Sequence, residues 1–252
     1  MTLHMLQLRP EPAALMRFLS GQGLNRNRDA DLGYGIHAWL AALFGDMAPA
    51  PFRFQAESIG RRMDSAAAPR PPKLLAYTTH GADALLEHAE TFAEPEARAV
   101  CPLDRDLVLA PMPSAERWRP GRRLGFEVLT CPVARRARSG VERDLFLHHA
   151  DRAAPDAELS REHIYGAWLR ERLAGAAELQ ELQLASFRLT RLWRRGRRSD
   201  GHRSATSLFR PAALLRGNLT VTDGEAFHRL LARGIGRHRA FGYGMLLLTP
   251  VR

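Results

Sequence analysis

One glycine-rich segment, near the carboxyl end, constrains this chain more than any other stretch. The helical pattern of Glu225–Ala232 comes before it, and the apolar run Met245–Leu248 after it indicates a buried strand. Glycine has no Cβ atom, so the backbone can approach a ligand closely and its amides can point at phosphate oxygens. Two interpretations stay open: a turn that simply needs glycine, or a loop that binds an anion, which its arginines favour. The segment carries four glycines, three basic residues and two aromatic residues, namely Gly234, Gly236, Gly242, Gly244, Arg237, His238, Arg239, Phe241 and Tyr243.

Positive charge is concentrated in the second half of the chain. The 252 residues include 37 Lys and Arg against 27 Asp and Glu, a net charge of +10. Residues 1–124 hold 15 basic and 14 acidic side chains, which leaves 22 basic and 13 acidic ones for residues 125–252. Such an excess is the electrostatic footprint expected for binding a polyanion. Because Lys73 is the only lysine, almost every cation is a guanidinium, which can hold a phosphate with two parallel bonds.

Composition and cysteine count argue against several classes of protein. The chain has no apolar run of about 18 residues, so no membrane-spanning helix is predicted. Its first residues lack the charged and apolar regions of a secretion signal. Cys101 and Cys131 form neither a CxxC motif nor a disulfide framework, and no cluster of ligands has metal-site spacing. We therefore expect a reduced, cytoplasmic protein with no metal, no cofactor and no membrane partner.

Residues 1–123 are predicted to form one ferredoxin-like domain. The patterns follow the order strand, helix, strand, strand, helix, strand, which is the β-α-β-β-α-β module. One further helix, Asp31–Phe44, has apolar residues recurring at three and four and precedes the second strand. The other predicted elements are strand Leu3–Leu8, helix Pro10–Ser20, strands Pro51–Gln55 and Lys73–Thr79, helix Ala82–Phe92 and strand Asp106–Ala110.

Residues 124–252 are predicted to form a second such domain, which ends with the glycine-rich loop. The expected fold is therefore α+β, with two tandem ferredoxin-like (RRM-like) modules, although no sequence repeat links them. A basic loop, Arg135–Asp144, follows the first strand of this module. The predicted elements are strand Gly125–Val133, helix His163–Leu173, strands Leu179–Trp193, Ala205–Phe209 and Gly217–Val221, helix Glu225–Arg233 and strand Gly244–Thr249.

A protruding basic β-hairpin is predicted inside the second module. From Ser186 to Arg203, seven arginines stand against one acidic residue, Asp200, with alternating patterns on both sides. A ribbon of this kind can enter a groove of a duplex or follow its phosphates. The alternative is a charged loop without fixed structure. The arginines are Arg188, Arg191, Arg194, Arg195, Arg197, Arg198 and Arg203.

Tyr34 and His37 share one face of the helix Asp31–Phe44, offset from its apolar stripe. Histidine titrates near neutral pH and can transfer a proton. Taken alone, an exposed histidine on a helix is most often inert. This pair is therefore a candidate catalytic site only if other features support it.

These features together resemble the CRISPR repeat-processing endoribonucleases of the RAMP superfamily and are most similar to the CasE branch of type I-E systems. That branch carries Tyr-x-x-His on its first long helix, here Tyr34-Gly35-Ile36-His37. It ends with a helix and the pattern GxGxxxxxGxGLLxLxP, which Ala226–Pro250 follow closely, and Gly125–Arg136 also match. The long insertion between Gln55 and Lys73 and the arginine-rich hairpin depart from the branch. A related type IV processing enzyme therefore stays an alternative.

The resemblance implies an endoribonuclease that needs no metal and cuts a CRISPR precursor transcript at the 3′ base of each repeat stem-loop. The RNA's own 2′-hydroxyl would attack, leaving a 2′,3′-cyclic phosphate, and the product would often stay bound within an interference complex with other subunits. His37 would be general base or acid, Tyr34 a hydrogen-bond partner of the RNA, and Arg237 or Arg239 the group that stabilises developing charge. The RNA-binding residues would be Arg26, Arg28, His238, the glycines 234, 236, 242 and 244, and the hairpin arginines.

Two other functions fit the same sequence. A non-catalytic subunit could hold a guide RNA with the basic hairpin and the glycine-rich loop, and His37 would then be an ordinary surface residue. A weaker alternative is a protein that binds duplex DNA. The appearance of a cyclic-phosphate end on repeat RNA distinguishes the first of these from an enzyme, and competition by double-stranded DNA tests the second.

Overall fold

The computed structural model describes residues 2–24, 32–55, 71–135, 141–154, 156–197 and 203–251, with side chains described outside 192–208. The chain divides into two compact units: Met1–Met112 with Ala240–Gly242, and Pro113–Arg239 with Tyr243–Arg252. Three residues of the glycine-rich loop thus belong to the first unit. No helix of the described residues is long and apolar enough to cross a membrane.

The boundary between the units lies earlier in the chain than the predicted one after residue 123. Trp118, which is 3% exposed, lies against Phe227 with a ring separation of 5.4 Å, both in the second unit. The amide of Gly121 also donates to the carbonyl of Val221 at 2.9 Å. The segment from Pro113 onward therefore joins the second unit, because its one large apolar side chain is buried there.

The first unit is an antiparallel four-stranded sheet with helices. Counted along the chain, its strands lie in the order β2-β3-β1-β4. This is the arrangement predicted for the first ferredoxin-like module. The elements are β1 (His4–Leu8), α1 (Pro12–Gly21), α2 (Leu32–Phe44), β2 (Phe52–Gln55), β3 (Lys73–Thr78), α3 (Ala82–Phe92), α4 (Pro95–Arg98), α5 (Leu103–Asp106) and β4 (Val108–Pro111).

Helix α2 is held rigidly in the core of the first unit. Trp39 is fully buried, and its indole N–H donates to the carbonyl of Ala97 at 3.0 Å. Gly35 lies so close to Leu19 of α1 that an added Cβ would be 2.6 Å from a Leu19 methyl group. With one face of α2 packed in this way, the side chains of Tyr34 and His37 are only half-buried.

The second unit repeats the same strand order. Its sheet runs β10-β5-β9-β8, which corresponds to the first sheet when the strands of each module are counted along the chain. This confirms the prediction of two tandem ferredoxin-like modules. Its elements are β5 (Arg123–Thr130), β6 (Val133–Arg135), β7 (Glu142–Asp144), α6 (Leu145–Ala150), α7 (Arg161–Leu173), β8 (Ala177–Arg197), β9 (Arg203–Val221), α8 (Gly224–Arg233) and β10 (Leu246–Thr249). Short 3₁₀ turns cover Gly45–Met47, Ala115–Arg117 and Arg239–Phe241.

Two sequence predictions for this unit were wrong in detail. The basic loop Arg135–Asp144 is partly ordered as the small hairpin β6–β7. The two strands predicted at Ala205–Phe209 and Gly217–Val221 are one strand, β9, paired with β8 from Ala177–Val221 to Arg197–Arg203. Pro and Gly interrupt the alternation between them, but the long partner strand keeps both halves in one ladder. Gly217 itself faces a bulge of β8, where an added Cβ would be 1.9 Å from the carbonyl oxygen of Glu181.

Candidate functional site

Tyr34, His37 and Phe241 form an aromatic cluster within the first unit. Phe241 is stacked on Tyr34 with ring centroids 5.9 Å apart, and it meets the His37 ring edge-on at 5.3 Å. The rings of Tyr34 and His37 are 6.4 Å apart, as expected for positions i and i+3 of a helix. The predicted catalytic pair is therefore joined by an aromatic residue of the glycine-rich loop.

The protonation of His37 is set by this setting. Burial lowers the pKa of its imidazole below the ordinary value of 6.5, because the charged form is poorly solvated there. At neutral pH the ring is therefore mainly uncharged, and it can accept a proton. A half-buried neutral imidazole beside a tyrosine hydroxyl is suited to proton transfer.

The glycines of the loop are required by its backbone path. All four have positive φ: Gly234 74°, Gly236 77°, Gly242 87° and Gly244 78°. At Gly244 an added Cβ would lie 2.2 Å from the carbonyl oxygen of Ile235. The turn interpretation therefore accounts for these glycines, and their contact with RNA stays a prediction.

Substituting Gly244 by alanine is expected to destabilise the protein by about 3 kcal/mol, since it adds a backbone clash to an unfavourable φ. Gly121→Ala is the matched control, because Gly121 has φ +85° but no atom within 4 Å of an added Cβ. The control should lose only about 1 kcal/mol. Urea unfolding of both variants measures the difference, and equal losses would show that the clash at Gly244 is relieved.

The basic residues of the loop have fixed partners in the second unit. Arg237 donates through Nε to Glu142 of β7, and His238 Nε2 lies 2.8 Å from the same carboxylate. Arg239 Nη1 donates to the carbonyl oxygen of Arg233 at 2.6 Å, at the last residue of α8. Of the two arginines predicted to face a phosphate, one is thus paired with a carboxylate and the other caps a helix.

Glu142 was not predicted from the sequence. It is one acidic residue in an arginine-rich stretch, so no local pattern distinguishes it. Its side chain is 10% exposed and also accepts a bond from Arg210 Nε at 3.2 Å. Burial raises the pKa of Glu142, but its contacts with His238 and Arg237 outweigh this and hold the pKa below the ordinary value.

The described part of the basic hairpin exposes both arginine and apolar groups. Arg188 is exposed, and the guanidinium of Arg191 lies 5.2 Å from the ring centre of Phe209 on the paired strand. Leu189 and Phe209 are more than half exposed. The backbone of Arg194, Arg195, Arg197 and Arg203 lies in the ladder, but their side chains lie outside the described set, as do Arg26, Arg28 and Arg198 entirely.

A family model described as "CRISPR associated protein" matches residues 3–250. The chain belongs to this family. The match agrees with the resemblance carried by Tyr34, His37 and the glycine-rich loop. No curated protein sequence gave a significant match to this CRISPR-associated chain.

Solved structures share the fold of this CRISPR-associated protein over its whole length. It is 22% identical to Thermus thermophilus Cse3 bound to an RNA that represents a pre-cleavage complex, with a TM-score of 0.58 and 99% and 100% of the two chains covered. It is 17% identical to Cas6e from Escherichia coli str. K-12, with a TM-score of 0.50 and full coverage of both chains. A chain of a CRISPR RNA-guided surveillance complex is 16% identical, with a TM-score of 0.56 and 98% and 100% covered. At these identities the comparison establishes the tandem fold.

The structure of this CRISPR-associated protein groups its predicted site residues into three sets. Tyr34 and His37 share the aromatic cluster with Phe241. Arg237 and His238 share Glu142. Arg188 and Arg191 lie at the described base of the hairpin, and Arg239 lies at the end of α8. Phe241 could have been found from the sequence as an aromatic residue between two glycines, whereas Glu142 could not.

Proposed function

We propose that this CRISPR-associated protein is an endoribonuclease that cuts CRISPR precursor RNA at the 3′ base of repeat stem-loops. The observation that carries the proposal is the neutral, half-buried imidazole of His37 beside Tyr34 and Phe241. Its fold is shared with Cse3 in a complex with RNA, and its second half is strongly basic. A reaction that moves protons at neutral pH needs such a group, and an RNA substrate needs such a charge.

The proposed reaction uses a nucleophile that the RNA supplies. The 2′-hydroxyl attacks the adjacent phosphorus, and His37 accepts its proton. Tyr34 donates a hydrogen bond to the 2′-oxygen or to the phosphate and so orients the attack. The bond from phosphorus to the 5′-oxygen breaks, and this oxygen takes up a proton from solvent. The products are a 5′-hydroxyl and a 2′,3′-cyclic phosphate, and Arg237 stabilises the charge that develops on the phosphoryl oxygens.

The substrate and partners follow from the same proposal. The basic hairpin holds the stem through its phosphates and shape, since the major groove of an A-form duplex hides its base edges. One structure with this fold is part of an RNA-guided surveillance complex. We expect the protein to keep the cleaved repeat and to join other subunits of an interference complex.

Incubation of the purified protein with a synthetic repeat stem-loop tests the proposal. We expect one cut, and mass spectrometry should find a 2′,3′-cyclic phosphate on the upstream fragment. A substrate with a 2′-deoxy nucleotide at the cut site should bind but stay intact. Cleavage of that deoxy substrate would contradict 2′-hydroxyl attack, and cleavage that stops in EDTA would contradict a reaction without metal.

The pH dependence of cleavage distinguishes a base from an acid. The pKa of His37 is lowered by burial, so a general base is fully active at neutral pH and is lost as the pH falls through a value below 6.5. We expect the single-turnover rate to be constant between about pH 7 and 8 and to fall on the acid side. A rate that instead falls as the pH rises through this range would assign His37 as the general acid.

The second candidate is a non-catalytic subunit that only holds guide RNA. The observation that favours it is the position of Arg237, whose ion pair with Glu142 ties it to the protein. Tight binding of repeat RNA with no cleavage would support this function. Equal competition by double-stranded DNA at moderate salt would instead indicate a general duplex binder.

A further inference from the structure

Glu142 collects three basic side chains from two distant parts of the chain. Arg210 of β9 and His238 contact Oε2 at 3.2 and 2.8 Å, and Arg237 donates to Oε1. Glu142 and Arg210 are both 10% exposed and His238 is 18% exposed. A carboxylate this buried needs partners to stay ionised. Arg210 and Arg237 supply that charge, and His238 supplies a further hydrogen bond.

Arg237 is bound to Glu142 by only one of its three nitrogens. The bond uses Nε, while the side chain keeps 48% of its surface exposed to solvent. A guanidinium carries five N–H donors in a rigid plane, and Nε accounts for one of them. Anchoring Nε therefore fixes the plane of the group and leaves the terminal amino groups for a second anion, such as a phosphate.

His238 provides a second anchor at the same carboxylate. Its φ of 60° makes it the one described residue other than glycine with a positive φ. Such a backbone conformation costs of the order of 1 kcal/mol and persists where surrounding contacts over-determine it. The contact with Glu142 holds this strained residue next to Arg237, and so fixes the backbone from which Arg237 projects.

The local charge balance favours an incoming anion. Burial lowers the pKa of His238, and Arg210 and Arg237 lower it further against the opposing effect of Glu142. With His238 neutral, two guanidiniums face one carboxylate, and the group carries a net positive charge. Glu142 thus orients Arg237 without cancelling the positive charge of the group.

We propose that Glu142 is a positioning residue, which holds Arg237 by its Nε so that the terminal amino groups meet an RNA phosphate during cleavage. This inference rests on the proposed endoribonuclease function, and it assigns Glu142 no contact with RNA. It acts through Arg237 alone. It follows that Glu142 matters only while Arg237 is present.

A double-mutant cycle with Glu142→Gln and Arg237→Ala tests this dependence. Glutamine keeps the shape of Glu142 but offers an amide group to three donors. We expect Glu142→Gln to lower the single-turnover cleavage rate by about 10- to 100-fold, the cost of a misplaced catalytic group. Its affinity for repeat RNA should be unchanged or higher, because one negative charge is removed. In the Arg237→Ala background the same change should have no further effect on the rate.

Glu127→Gln is the matched control. Glu127 of β5 forms a comparable ion pair with Arg216 at 2.7 Å in the same unit, with the carboxylate 19% exposed. This variant should cleave at the wild-type rate. Arg237→Lys provides a second test that leaves Glu142 intact: lysine keeps the charge but lacks the Nε anchor, so its rate should fall as much as that of Glu142→Gln.

The outcomes separate the inference from the proposed function. If the wild-type protein does not cut repeat RNA, the function fails. If it cuts and the losses from Glu142→Gln and Arg237→Ala multiply in the double variant, the function stands and the positioning role is wrong. Wild-type activity of Arg237→Lys would also overturn the role. If Glu142→Gln melts well below the wild type, the lysine variant decides the question alone.

Discussion

The His37→Ala variant is expected to cleave repeat RNA about 10²- to 10⁴-fold more slowly than the wild type, the usual contribution of one positioned proton-transfer group. Its affinity for the same RNA should stay nearly unchanged, because His37 is uncharged at neutral pH and adds nothing to phosphate binding. Single-turnover cleavage and filter binding, measured on one RNA at one salt concentration, give the two numbers. The split between them is the signature of a catalytic residue.

His80→Ala is the appropriate control, since His80 lies in the turn after β3 of the same unit and its recorded bond uses the backbone amide, donated to Thr78 at 3.1 Å. It should cleave at the wild-type rate. A His37→Ala variant with wild-type cleavage would remove the proposed active site and leave an RNA-binding protein. A comparable loss in affinity and in rate would indicate damage to the fold, which a thermal melt would reveal.

Replacing the five arginines 188, 191, 194, 195 and 197 by glutamine should weaken binding of repeat RNA by about 10³-fold near physiological salt. Each phosphate contact contributes about 0.7–0.9 to the slope of log affinity against log salt, so five contacts contribute a slope of about 4. The salt dependence should become shallower by that amount. Binding titrations from low to moderate salt measure both quantities. The expected size assumes one phosphate for each arginine.

An equal reduction of charge elsewhere controls for net charge. Arg17, Arg98 and Arg105 are exposed residues of the first unit, and glutamine at these positions should leave the slope unchanged. If both variants lose affinity alike, binding depends on total charge and the hairpin is not the RNA-gripping surface. An unchanged slope in the hairpin variant would contradict the role of its arginines directly.

The secondary structure around the candidate site was largely predictable because it is encoded locally. The apolar residues of α2 recur at three and four, so the sequence alone places Tyr34 and His37 together and off the buried face. The glycines of the loop were recognisable for the same reason. Each has a positive φ in the structure, a requirement of the residue's own backbone that glycine meets without a steric penalty.

The pairing of β9 as one strand was not predictable in this way. Pro211 and Gly217 break its local pattern, and only the register with β8, from Leu189–Pro211 to Leu182–Gly217, shows that one ladder covers both. Strand pairing is set by cross-strand contacts, so a sequence window that sees one strand sees half of the interaction.

The sequence by itself determined the two βαββαβ modules, the offset histidine face of α2 and the excess of arginine in the second half, because periodicity, glycine and charge act over a few neighbouring residues. Tertiary structure alone decided that Phe241 would stack on Tyr34 and that Glu142 would bind Arg237 and His238. These partners are about a hundred residues or more apart along the chain, and each contact exists only because two sheets and their helices have already formed. Burial then supplied what no motif contains: a lowered pKa for His37 and a carboxylate ionised by its arginines.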